Sequence, residues 1–338
     1  MIDVNVDIST IIMYCDESVL GLNIGHGYTL SKKYLKDIPY KDKITDARGN
    51  LNIEYIGSCL TDQQGEFFIC LNKHDIFQIA GIDLESIKPN TGISFSGPMC
   101  SEQLAPYQEK ELSYLYEVFS LLHLFQQGNI GFCNVFFDYS YNTFGIMKNN
   151  VHNNSYSRSR NIVDQRKYSL TPDDSTACNQ FLSEYRGLPF KLLKSSIDEF
   201  IWGIEQIDVP TGFEQYTTAL EMTLLERDAE AKKQKLANRV AVLLGTLPAN
   251  ITKIHGDMLK FYRFRSESLH EGDGTNISEA ELHSLEEYAR HVLEKCLLRC
   301  KTESAQNAGV VWPEIKKHLI DDLKNQVIAA KNTGTLPV

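Results

Sequence analysis

Over the first hundred or so residues, apolar and polar side chains alternate, or β-branched residues gather in short runs, between clusters of turn-forming residues. That is the period of strands. Residues 9–14, 51–56 and 66–71 read as strands, with Asp46-Ala-Arg-Gly-Asn50 and Thr61-Asp-Gln-Gln-Gly65 as turns. The period then changes. Leu112, Leu115, Tyr116, Phe119, Leu122 and Phe125 recur at three- and four-residue spacing and predict a helix over 109–127, closed by Gly128. Two further strands are predicted at 130–137 and 143–147, with a turn near 139–142.

Residues 148–172 are polar, rich in Asn and Ser, and basic, and read as an exposed linker. From Pro172 the pattern is helical. Asp173 or Asp174 caps a helix to about 182, and a second covers 195–206. The last third is nearly all helix. Tyr216, Leu220, Thr223 and Leu224 share one face over 213–227, and Leu236, Val240, Leu243 and Leu244 share another over 235–244, with Gly245 as the stop and Pro248 beyond it. A helix over 257–269 carries Leu259, Tyr262 and Leu269. Ser278-Glu-Ala-Glu281 is a capping box opening a helix to about Cys300, and Pro313 suits the first turn of a last helix to about Lys331. The expected fold class is therefore α+β. A β-rich domain over 1–147 is followed by a polar linker over 148–172 and a helical connector over 173–208. An all-α bundle of four or five helices covers 209–331.

Composition narrows the setting. At 338 residues, with 42% hydrophobic and 23% charged residues, the chain can build more than one core. It has no apolar run long enough for a membrane span and opens on an acidic segment unlike a secretory signal, so the expected location is the cytoplasm. Eight cysteines without a CxxC pair read as reduced, small hydrophobes, Cys296 and Cys300 on one helix face among them. The formal net charge of -10 speaks against general affinity for nucleic acid. Residues 214–331, however, hold about 18 acidic and about 17 basic side chains, so the acidity belongs to the first two thirds.

One segment carries chemistry: Phe261-Tyr-Arg-Phe-Arg-Ser-Glu-Ser-Leu-His-Glu-Gly272. Metal-independent RNA cleavage needs a group to take a proton from the 2′-hydroxyl and a fixed cation to offset charge growing on phosphorus. A histidine with a pKa near neutrality supplies the first, and an arginine the second. His270 and Arg265 are the right residue types. Five steps of ideal helix separate them by about 140°, so convergence needs His270 at or beyond the helix end. Arg263, seven steps away, is the rival arginine.

Arg-x4-His near a helix end, preceded by Tyr262 and followed by Ser266 and Leu269, resembles the motif of the HEPN superfamily, in its Apea-like branch. Upstream, Ala219-Leu-Glu221 and Leu236-Ala-Asn-Arg239-Val-Ala241 are similar to that branch's first two helices. Glu271 departs from the pattern, standing where a glycine commonly follows the histidine. The resemblance implies a metal-independent endoribonuclease that works as a homodimer, without cofactor, in phage defence or as a toxin. Arg265 would hold the scissile phosphate, His270 would move the proton and Ser266 would support them. The N-terminal domain would regulate the site, alone or with a protein partner. The alternative is a non-catalytic HEPN-like module that binds RNA, a nucleotide or a partner protein.

Other candidates are plainer. Glu221 is placed to anchor Arg265 or Arg239, most simply as a structural ion pair. Lys232, Lys233, Lys235 and Arg239, with Arg263 nearby, form a basic face that suits an RNA backbone or merely solvent. Tyr139, Tyr141 and their phenylalanine neighbours read as core, and Gly21-x3-Gly25-x-Gly27 as a turn. His255, His283, His291 and His318 lack companions at metal-ligand spacing, so no metal is expected.

Overall fold

The computed structural model describes residues 2–38, 67–79, 98–141, 147–155, 167–206, 208–227, 229–271 and 277–337. The predicted strand at 51–56 and the turns at 46–50 and 61–65 lie outside these residues. The architecture is α+β: an N-terminal antiparallel sheet followed by a helical region. The chain divides into two compact units. The first comprises 1–119, 128–160 and 166–180, and the second 120–127, 161–165 and 181–338.

In the first unit, β1 (Ile2–Met13), β2 (Thr29–Tyr34), β3 (Phe67–Ile79), β4 (Gly131–Tyr141) and β5 (Met147–Ser155) form a sheet in the order β2-β3-β1-β4-β5. Every pairing is antiparallel. β1 lies at the centre. Val4, Val6 and Ile8 are buried on one face while Asp3 and Asp7 are exposed on the other, as the pleat requires. Near its end Thr10, Ile11, Ile12 and Met13 are all buried, and the pairing with β4 shifts register between Thr10 and Ile12. The Thr10 hydroxyl donates to the Asn134 carbonyl at 2.7 Å, so the hydroxyl does not stay buried without a partner.

Two sequence expectations change here. β3 runs to Ile79, well past the predicted end at 71, through Asn72, Lys73, His74 and Asp75. Pairing with β1 from Ile2↔Ile79 to Ile12↔Ile69 holds this polar stretch extended, which its own hydrophobic pattern does not signal. β4 likewise continues through the predicted turn to Tyr141. Of the strand expected at 143–147, residues 143–146 lie outside the described residues, and β5 instead runs through 148–155, which read as the start of a linker. Among the described residues β5 is an edge strand, paired to β4 alone. Residues 156–166 of the expected linker lie outside the described residues.

The helix predicted over 109–127 is α1 (Pro98–Phe125), which begins earlier and carries Pro106 inside it. Gly128, at φ +132°, follows it, and a Cβ there would stand 3.1 Å from the Tyr168 Cα. Glycine is therefore required both by conformation and by space.

The remaining helices are α2 (Pro172–Tyr185), α3 (Leu188–Ile204), α4 (Val209–Leu224), α5 (Lys232–Leu244), α6 (Pro248–Glu271), α7 (Glu279–Gln306) and α8 (Trp312–Asn332). In the second unit α7 is the spine. Leu285, Ala289, Val292, Leu293, Cys296, Leu297 and Cys300 are fully buried along it, and α3, α4 and α5 pack against it. α5 also packs on α6 and α8, and α4 on α3 and α6. The predicted capping box is present: Ser278 and Glu281 satisfy each other's backbone N–H groups at the start of α7. Asp208 caps α4 by accepting from the Thr211 N–H at 2.8 Å. α3 and α4 approach so closely that a Cβ on Gly203 would stand 2.4 Å from the Tyr216 ring. Gly245 ends α5 as expected, at an ordinary φ of -76°. Its need for glycine is steric, because a Cβ would stand 2.4 Å from Ile251. Cys296 and Cys300 are free thiols. Burial raises both pKa values, that of Cys300 to about 12, as suits inert packing groups.

Candidate functional site

α6 positions the Arg-x4-His segment. The helix begins nine residues before the predicted start at 257, because Pro248 provides its first turn. Its buried stripe is Ile254, Met258, Phe261 and Phe264, with the predicted Leu259 and Tyr262 only part-buried; the side chain of Leu269 lies outside the described part. Phe261 and Phe264 meet Phe213 of α4 edge-on, with ring centroids at 5.5 and 6.3 Å. This locks the rotation of α6 and turns Tyr262 and Arg265 to the margin of the core.

There Arg265 meets Glu221 of α4. Its Nη1 donates to the Glu221 Oε1 at 2.8 Å, with the side chains 18% and 16% exposed. Of the two arginines within reach of Glu221 in the sequence, this is the one it takes. The Arg265 guanidinium also lies over the Tyr262 ring at 5.7 Å. Burial, and then the hydrogen bond and charge of Glu221, raise the pKa of the Tyr262 phenol. The Arg265 Nε is buried and has no hydrogen-bond partner among the described residues.

α6 continues through Glu271, so position 270 falls in its last turn. The backbone positions of 265 and 270 are about 140° apart around the helix, whereas position 263 shares the face of 270. The side chains of His270 and Glu271 lie outside the described part, as do Gly272, Asp273 and Gly274. Ser266 and Arg263 are exposed, the latter with its guanidinium 5.7 Å from the Phe264 ring centre.

The basic face of α5 is smaller than the sequence suggested. Lys232 and Lys233 are exposed in its first turn. Arg239 is not part of that face: its side chain is 4% exposed. It donates to the two Glu226 carboxylate oxygens at 2.8 and 3.1 Å and to the Leu224 carbonyl. Hydrogen bonding from Arg239 lowers the Glu226 pKa to about 2. The two residues brace the turn between α4 and α5, and Arg239 has no accessible surface to offer a phosphate. Neither its burial nor the identity of its acid is visible in the spacing of lysines and arginines.

A second charged cluster, which no sequence motif signals, lies in the sheet unit. The Glu111 carboxylate on α1 is fully buried. Oε1 accepts from Lys73 Nζ at 2.9 Å and meets His26 Nε2 at 2.9 Å, and Oε2 accepts from the Tyr28 hydroxyl at 2.8 Å. Lys73 also pairs with Asp75 at 3.0 Å, and Asp75 accepts from the Tyr107 hydroxyl at 2.8 Å. Burial raises the Tyr28 pKa strongly, with Glu111 adding to it. The members come from positions 26 to 111, a separation that no local motif betrays.

Among the described residues no group of three or more His, Cys, Asp or Glu side chains is placed to hold a metal ion. No helix among them is long and apolar enough to cross a membrane. Comparison of the chain with protein-family models, with curated proteins and with solved structures found no match.

Proposed function

We propose that the chain is a metal-independent endoribonuclease of HEPN type, acting as a homodimer through its helical unit. The observation that carries the proposal is the Arg265–Glu221 pair, which fixes a guanidinium at the margin of the core, five residues before a histidine in the last turn of the same helix. A carboxylate that holds one edge of a guanidinium orients the donors that remain for a phosphate. His270 then takes the proton of the 2′-hydroxyl. The resulting oxygen attacks phosphorus, and the bond to the 5′-oxygen breaks as that oxygen is protonated. The products are a 2′,3′-cyclic phosphate and a 5′-hydroxyl end. Positions 265 and 270 diverge around α6, so the arginine and histidine that act together come from two protomers facing one phosphate. Ser266, Arg263, Lys232 and Lys233 are exposed and supply polar contacts to the strand. The sheet unit regulates the site, in the setting of phage defence or toxicity.

The test is incubation of the purified full-length protein with mixed RNA in the presence of a chelator. Cleavage yielding cyclic phosphate ends is expected. His270→Ala is expected to abolish it while leaving the melting temperature unchanged, and a wild-type dimer that cuts no RNA would overturn the proposal.

A second reading is favoured by the same ion pair. Glu221 already offsets much of the charge on Arg265, which suits a HEPN-like module that holds RNA without cutting it. Saturable RNA binding by wild-type protein, with no cyclic phosphate formed, would decide for that reading.

A further inference from the structure

Glu221 holds Arg265 and also lines a cavity of about 530 Å³ in the helical unit. That volume lies within the range of roughly 300–1,000 Å³ usual for small-ligand sites. Its most distinctive wall is Trp312, half-buried in the first turn of α8, with Leu193, Met222 and Leu225 as apolar neighbours. Lys316 stands one turn further along α8, on the same face. Its ammonium donates to the Met222 carbonyl at 2.6 Å and has two further N–H donors. Arg227 and Lys232 are exposed at the rim, and neither has a carboxylate partner among the described residues.

The charge balance is one-sided. Two carboxylates line the cavity, and both are already matched: Glu221 by Arg265, and Glu226 by Arg239 and, at 3.2 Å, by Lys324. Among the described lining residues the charge left over is positive, in a chain whose net charge is -10. A flat indole and apolar walls inside, with unmatched cations at the mouth, suit a planar heterocycle carrying an anionic group. A free phosphate would make no use of the indole, and an apolar peptide would make none of Arg227 and Lys232.

We propose that this cavity is a nucleotide subsite, in which an unpaired base of the RNA strand stacks on Trp312 while Arg227 and Lys232 hold the adjoining phosphate. The inference rests on the RNA reading above, and Glu221 is the residue common to the subsite and the Arg265 pair. The subsite selects for single-stranded RNA, because a base in a duplex is not available to stack.

The test uses full-length protein carrying Trp202→Phe, so that Trp312 is the sole tryptophan of the chain's two. Trp202 lies on α3, is 58% exposed and is not among the residues lining the cavity. The probes are short 2′-O-methylated oligonucleotides of each base, which cannot be cleaved. Saturable quenching of Trp312 fluorescence is expected for at least one of them. By anisotropy with a labelled probe, Trp312→Leu should weaken binding roughly tenfold, and Trp312→Phe should restore most of it. Arg227→Gln with Lys232→Gln should weaken binding and flatten its dependence on salt. Absence of quenching by every probe, or binding indifferent to Trp312→Leu, overturns the subsite. So does an equal response to inorganic phosphate alone. Cleavage of unmodified RNA by the Trp202→Phe protein is measured in parallel. Cleavage without quenching removes the subsite and leaves the nuclease, while quenching without cleavage does the reverse.

Discussion

The Lys73–Glu111 pair of the sheet unit and the Arg265–Glu221 pair of the helical unit join the same kinds of charge at similar distances, 2.9 and 2.8 Å. Their surroundings differ. Glu111 is wholly buried and Lys73 nearly so, and each finds several partners: His26 and Tyr28 on the acid, Asp75 on the lysine. Arg265 and Glu221 are each about one sixth exposed, and the Arg265 Nε has no partner among the described residues. A sealed and satisfied network ties α1 to β3 and has no capacity left over. The pair at the margin keeps part of the guanidinium in contact with solvent, as the proposed phosphate contact requires. Burial of charge and availability of charge are opposite uses of the same chemistry, and exposure tells them apart.

The largest effect on stability is expected at the sealed pair. Glu111→Gln leaves the buried Lys73 ammonium with the half-exposed Asp75 as its remaining carboxylate partner and should cost about 2–3 kcal/mol in urea unfolding. A loss below about 1 kcal/mol would mean that water reaches the cluster, and the contrast between the two pairs would vanish. Glu221→Gln should cost less, about 1–2 kcal/mol, because its pair is partly wet. It should nevertheless lower the proposed RNA cleavage roughly a hundredfold by letting the Arg265 guanidinium drift. A variant that loses stability and activity in equal, small measure would make the marginal pair merely structural.

The smallest effect lies at a fully peripheral group. Hydrogen bonds that its ring donates to Glu287 and then to Glu294 raise the His291 pKa to about 9 from its ordinary 6.5. A raised folded-state value means that this contribution is complete below pH 6.5 and is lost as pH climbs to about 9. The His291 side chain is 48% exposed, so solvent screening keeps the loss to a few tenths of a kcal/mol. His291→Asn should flatten that limb of the melting-temperature profile, and an unchanged slope would show that the ion pairs do not form in solution.

Much of the helical unit is legible along the chain. Ser278 and Glu281 announce the start of α7, Pro313 that of α8, and the period of Leu236, Val240 and Leu244 gives α5, whereas Pro248, read as lying beyond a stop, opens α6. These signals are local, carried by residues three or four apart, and local chemistry survives folding. The sheet is less legible. The polar half of β3 and all of β5 are extended because a neighbouring strand supplies their hydrogen bonds, and no pattern within 72–75 or 147–155 reports that neighbour. The candidate site divides along the same line. The segment from Arg263 to His270 is visible as a motif, while the rotation of α6, set by Phe261 and Phe264 against Phe213, is not.

Residue identity alone was enough for the α+β class, the presence of the helices though not where α1, α3 and α6 begin, and the arginine that carries the proposal, because those depend on spacing within a turn or two. Which acid each arginine takes was settled by packing. Arg239 and Arg265 look alike in the chain, yet Arg239 is buried on Glu226 and Arg265 is held at the surface by Glu221. That assignment depends on distances between helices, which arise only when their apolar faces close on one another.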